Sequence, residues 1–142
     1  MSFDVAYALA LKKLSWCERF ERELRPVLAE FDSDTVNLVL ERLRGRGVIN
    51  DFELAKRIIE SSHGRSVVGR GRLREVLLAR GADSSEIHDL LGSLPEESVR
   101  AEELLKTRLC VSRAKEGRFL LSRGLDEEAV DAALNRVFGA SE

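Results

Sequence analysis

The chain has 142 residues, 44% of them hydrophobic and 34% charged, which fits a folded chain with a modest core and not a disordered one. Its formal net charge of −2 argues against binding polyanions over the whole surface, and its two cysteines, Cys17 and Cys110, form neither a CxxC nor a cluster with histidine, so a disulfide framework and a zinc site are not expected. No apolar run approaches the roughly 20 residues needed to span a bilayer, and Met1–Val5 has no basic leader, so a soluble, cytoplasmic protein is expected.

Proline occurs only at Pro26 and Pro95, and helical spacing of apolar residues recurs along the chain. The spacing predicts helices over 4–14 and 16–29, the second opened by Trp16 and kinked by Pro26. Val36, Val39, Leu40 and Leu43 make one apolar stripe on a helix over 34–45. Asn50 and Glu53 have capping-box spacing before a helix over 51–62. The segment 63–71 is the longest expected loop, with a flexible basic tip. Helices over 70–80 and 84–92 follow, the latter opened by Asp83 and Glu86. Ser93 and Glu96 repeat that spacing, with Pro95 early in a helix over 96–111 that carries Ala101, Leu104, Leu105 and Leu109 on one face. The last two helices are expected over 113–123 and 127–138. Gly47, Gly81 and Gly124 each follow an arginine where a left-handed cap suits glycine.

The informative feature is internal similarity. Leu77-Leu78-Ala79-Arg80-Gly81-Ala82-Asp83 lies over Leu120-Leu121-Ser122-Arg123-Gly124-Leu125-Asp126, followed by Ile87 over Val130 and Leu91 over Leu134. A weaker copy, Val27-Leu28-Ala29-Glu30-Phe31-Asp32, continues to Val36 and Leu40, with Glu30 in the place of the glycine. The expected fold is all-α: about nine helices in tandem three-helix bundles, forming an elongated, curved array. The units run over 1–46, 47–93 and 94–142, the first being divergent. A single unit is too small to bury its core well, so stacking supplies the rest.

Catalytic constellations are thin. His63 and His88 are the only histidines, and no nucleophile motif appears. Gly69-Arg70-Gly71 lacks the Gly-Lys-Ser/Thr of a phosphate loop. No enzyme activity, metal or cofactor is expected. The candidate partner-binding residues are basic: Arg42, Arg44 and Arg46; Arg65, Arg70, Arg72 and Arg74; and Arg113, Lys115, Arg118 and Arg123. The bland reading of the first set is a favourable charge at a helix C-terminus, and of the second a solvated face beside Glu60 and Glu75. Trp16, Phe20, Phe31, Phe52, Phe119 and Phe138 are expected to pack in cores, with no base-stacking platform.

From about Tyr7 to Val137 the chain resembles the RecX family of recombination regulators. The resemblance is carried by Leu43-Arg44-Gly45-Arg46-Gly47-Val48-Ile49-Asn50-Asp51-Phe52-Glu53-Leu54-Ala55, by the Gly/Arg-rich loop with Leu73–Gly81, and by Lys115 with Phe119–Leu125. It implies an array of three-helix bundles that lodges in the groove of the RecA filament and restrains ATP hydrolysis, strand exchange and coprotease activity, regulating recombination, repair and the SOS response. The chain itself is expected to be a monomer, with at most a weak direct DNA contact. The alternative reading of the residues is a tandem helix-turn-helix-like module that binds nucleic acid through the basic loop.

Overall fold

Helical periodicity without period-two alternation leads to helices alone. The computed structural model describes residues 2–139, so Met1 and residues 140–142, which end the first and last expected units, lie outside the described residues. Nine α-helices are described: α1 (Ser2–Trp16), α2 (Glu21–Leu24), α3 (Ser33–Gly45), α4 (Asp51–Glu60), α5 (Arg70–Arg80), α6 (Ser84–Gly92), α7 (Glu97–Leu105), α8 (Arg113–Ser122) and α9 (Glu127–Phe138). Two 3-10 turns, Pro26–Leu28 and Gly64–Ser66, complete them. The architecture is the expected all-α helical repeat array.

The caps act largely where their chemistry requires. Asp32, Asn50, Asp83, Ser112 and Asp126 each accept the backbone N–H three residues on, so one orphan donor of each helix start is satisfied. Gly81 and Gly124 take φ of +113° and +84°, turning the chain directly into the following aspartate cap.

Four sequence expectations are corrected. The helix over 16–29 does not form. Trp16 ends α1, 65% exposed, with the Lys13 ammonium 4.9 Å from its ring. The chain then extends at Phe20 (φ −72°, ψ 154°), α2 lasts four residues, and Pro26, which has no N–H to give, begins a 3-10 turn. The Ser93 box is absent. Leu94 precedes proline and is biased away from helix, so α7 starts after Pro95, while the Ser93 hydroxyl donates to Leu90 O and closes α6. Helix α7 stops at Leu105, and Leu109 is 89% exposed instead of lying on an apolar stripe. Several apolar or small side chains also face solvent: Phe52 and Phe138 are exposed, as is Cys17.

The core is divided. One cluster gathers Ala6, Ala10, Leu24, Leu28, Val36, Val39, Leu40, Leu43 and Ile49. A second holds Leu54, Ala55, Ile59, Leu73, Leu77, Ala82, Ile87 and Leu91, and a third Ala101, Leu104, Leu105, Leu120, Leu125, Val130, Ala133 and Leu134. Three residues cross between them, the first being Ile49, which precedes α4 and packs in the first cluster. Phe20, from before α2, is fully buried in the second cluster, and Val67, from before α5, is fully buried in the third. Each such side chain contributes roughly 1.5–3 kcal/mol by leaving water, so neighbouring clusters are stabilised by each other.

Candidate partner interface

The repeated segment is more than a helix cap. At both places where one core meets the next, it receives the start of the preceding unit's second helix. The Arg22 guanidinium donates to Ala79 O at 2.7 Å, in the last turn of α5. Arg72 donates to Ser122 O at 2.7 Å, in the last turn of α8. A Cβ at Gly81 would stand 2.7 Å from the Arg22 Cβ, and one at Gly124 would stand 3.1 Å from the Arg72 Cβ. The glycines thus give the turn its left-handed φ and leave room for the incoming arginine stem.

The motif arginine reaches back the other way. Arg80 pairs with both Glu23 oxygens at 3.0 Å and lies 5.1 Å from the Phe20 ring. Burial pushes the Glu23 carboxyl up, but the hydrogen bonds from Arg80 and from the Phe20 N–H outweigh it and hold the pKa below its ordinary value. Arg123 donates to Arg65 O at 2.8 Å, and Arg123 O accepts the Gly69 N–H at 2.9 Å. A third contact recurs as well. The first N–H of α2, on Glu21, donates to Asp51 at the start of α4; that of α5, on Arg70, donates to Glu97 at the start of α7.

The expected flexible tip at 63–71 is therefore a fixed joint. Arg100, 2% exposed, donates to Glu97, to Ser62 Oγ at 2.9 Å and to Val68 O at 2.8 Å. Glu103 accepts the Gly64 N–H. A buried charge is tolerated here because its donors meet a carboxylate, a hydroxyl and a carbonyl.

The candidate basic residues consequently fall into two groups. Arg70 gives its guanidinium to Leu91 O, Leu94 O and Pro95 O, at 3.0, 2.7 and 2.7 Å. Arg72 and Arg123 serve the joint just described. Arg113 holds Asn135 Oδ1 at 2.7 Å and Gly139 O at 3.1 Å. Arg44 pairs with Glu21 at 2.8 Å, Arg46 donates to the Tyr7 hydroxyl at 3.2 Å, and Arg42 lies 5.2 Å from the Phe3 ring. Among the described residues, the side chains of Arg65, Arg74, Lys115 and Arg118 have no hydrogen-bond or ion-pair partner. Arg74 lines a shallow groove with Arg70 and His88, and Arg118 lines one between α8 and α9 over Leu121, Val130 and Leu134.

Sequence reasoning missed Arg22, Arg100 and the pair Glu116–Arg108. Glu116 is fully buried and accepts from Arg108 Nε at 2.7 Å and from the Val111 N–H at 3.2 Å. Turning both groups onto one carboxylate draws the chain out of α7, which is why that helix ends early. The Arg108 guanidinium also stacks 3.6 Å from the Phe119 ring. A signal was available: Glu116 sits four residues before Leu120 on the buried side of α8, and Arg100 adjoins Ala101 on that of α7. The Arg108 hydrogen bond holds the Glu116 carboxyl below its ordinary 4.5 despite burial. A lowered folded-state pKa stabilises the fold above that ordinary value and the stabilisation is lost as pH falls through the folded one. Glu116→Gln should cost about 2 kcal/mol in urea unfolding at neutral pH. Its stability should also fall less steeply than the parent's below pH 4.5. Parallel acid slopes would contradict this role.

Over 135 residues the chain is 31% identical to a Mycobacterium tuberculosis protein named regulatory protein RecX, covering 92% of this chain and 74% of that one. The chain belongs to the RecX family. A regulatory protein RecX of Clostridioides difficile is 22% identical over 144 residues, covering 94% of this chain and 68% of the relative. The fold of the RecX crystal structure from Lactobacillus salivarius matches with a TM-score of 0.75 at 20% identity, over 96% of this chain and 97% of that one. A second crystal structure of a regulatory protein RecX gives 0.70 at 23% identity, over 90% and 70%. No family model matches the chain. Among the described residues of this RecX-family chain, no helix is long and apolar enough to cross a membrane.

Proposed function

We propose that the chain is a cytoplasmic, monomeric regulator that binds the RecA filament and restrains its ATP hydrolysis, strand exchange and coprotease activity, without catalysis of its own. Membership of the RecX family is the observation that carries this reading. The mechanism is steric and electrostatic. Three units, over 1–46, 47–93 and 94–142, stack through fixed joints and lie across neighbouring recombinase protomers as one body. Relative movement of those protomers during ATP turnover is then opposed by the stiffness of the array.

The structure favours this protein contact over a helix-turn-helix grip on DNA. Arg70 and Arg72, which such a grip would use, give guanidinium hydrogens to backbone carbonyls inside the fold. The test is DNA-stimulated ATP hydrolysis by the cognate recombinase, with increasing amounts of this protein. Progressive inhibition is expected, with filament binding by co-sedimentation. No inhibition and no binding at several-fold excess would refute the reading. Steep salt-dependent duplex binding without recombinase, lost on Arg74→Ala with melting unchanged, would support the DNA module instead.

A further inference from the structure

Each joint holds an arginine, and the two differ in what they meet. Between the second and third cores, Arg100 donates to a carboxylate, a hydroxyl and a carbonyl. Between the first and second cores, the half-buried Arg19 has no hydrogen-bond or ion-pair partner among the described residues. Its Nε is, among those residues, the one buried side-chain nitrogen or oxygen left without a partner. Buried donors are nearly always met, so an unmet one marks a place where an acceptor is missing. The two terminal nitrogens of Arg19 are equally unpartnered but keep contact with solvent.

The chain leaves helix after Trp16 to bury Phe20 in the second core, and Arg19 thereby comes to line a cleft of about 250 Å³ between the end of α1 and the start of α4. Leu14, Val48 and Leu54 give the cleft apolar walls. Its other cation, Arg57, is already held by both Glu18 oxygens, at 3.3 and 2.6 Å. Glu23, close enough to feel the charge of Arg19, gives both oxygens to Arg80. Asn50 also lines the cleft, and while its Oδ1 caps α4, its amide N–H groups have no acceptor among the described residues.

We infer that this cleft receives an acidic side chain of a partner protein, its carboxylate held end-on by the Arg19 terminal nitrogens and by the Asn50 amide, with an adjoining apolar residue against Leu14 and Val48. A guanidinium meets a carboxylate through two parallel N–H groups, and a carboxylate is what Glu97 supplies to Arg100 at the other joint. A nucleic-acid phosphate fits less well, because its backbone would have to pass apolar walls and the Glu18 carboxylate, which is 60% exposed. The recombinase filament as the source of the acidic side chain rests on the proposed function; the class of ligand does not.

The ligand class is read on the full chain alone, by NMR of arginine and asparagine side-chain N–H groups during titration with N-acetyl-leucylglutamate amide. Saturable shifts are expected at Arg19 and Asn50 and not at Arg65 or Arg74, with the glutamine form of the peptide about tenfold weaker. No shift at Arg19, equal binding of the glutamine form, or tighter binding of inorganic phosphate would overturn the inference. Binding to recombinase filaments is then measured for the parent, Arg19→Met, Arg19→Lys and the control Arg65→Met. Arg19→Met should weaken binding about tenfold, Arg19→Lys less, and Arg65→Met not at all. Melting of Arg19→Met should be unchanged or higher, since Arg19 gives the fold no hydrogen bond; a purely structural arginine would lower it. If the parent binds filaments and Arg19→Met binds equally well, the inference is overturned while the proposed function stands. If the parent does not bind filaments, the proposed function falls, and the peptide titration alone decides the cleft.

Discussion

Gly69→Ala should destabilise the protein by about 3 kcal/mol or more, the largest effect expected of any single added methyl group. A Cβ at this position would lie 1.9 Å from Gly124 O and 2.4 Å from Gly124 C. These are backbone atoms, so no rotamer change relieves the clash. The two strands of chain must separate, which breaks the Gly69 N–H to Arg123 O bond and draws Val67 from the third core. Gly71, two residues on, is the internal control. A Cβ there meets nothing within 4 Å, and alanine is the better helix former, so Gly71→Ala should be neutral or stabilising by up to about 1 kcal/mol. Urea unfolding followed by circular dichroism separates the two. Equal stabilities would contradict the close approach.

Arg100→Ala should cost about 3–5 kcal/mol, because it takes one partner each from a half-buried carboxylate, a buried hydroxyl and a carbonyl at once. The guanidinium reaches Glu97, Ser62 and Val68 from one planar fork. Lysine offers one point charge and cannot span three acceptors, so Arg100→Lys should recover less than half of the loss. The loss should concentrate at the joint. Hydrogen exchange should rise over 62–69 and the start of α7 before it rises in α3. Unchanged stability in Arg100→Ala would show that the buried charge contributes nothing to holding the second and third cores together.

The Leu-Leu-x-Arg-Gly-x-Asp similarity was legible because three local demands, an apolar stripe, a left-handed cap and an N-cap, each restrict residue type at fixed spacing. Its second role was not legible. Arg80 and Arg123 act on residues 57 and 58 positions earlier, and Arg22 on one 57 positions later, distances that periodicity does not report. For the same reason, the basic residues read as one accessible tip divide into half-buried clamps such as Arg70 and free ones such as Arg65. The early end of α7 was hidden because Leu109 keeps helical spacing, while the cause, Glu116, lies across a turn in another helix. Pro26 did announce trouble in the second helix. What it could not announce was Phe20, pulled out of helix into the neighbouring core.

The central claim, that the repeated segment joins the units into one body, is tested most directly by amide exchange at Glu21, Gly69 and Arg70. None of these N–H groups has a bond within its own helix; each donates across a joint, to Asp51, Arg123 O and Glu97 respectively. If the joints hold the array together, all three amides exchange as slowly as the interior of α5, and Gly69→Ala abolishes the protection of Gly69 and Arg70 while sparing Glu21. If the units move independently, the three exchange at the rates of exposed loops in the unmodified protein, and the claim is wrong.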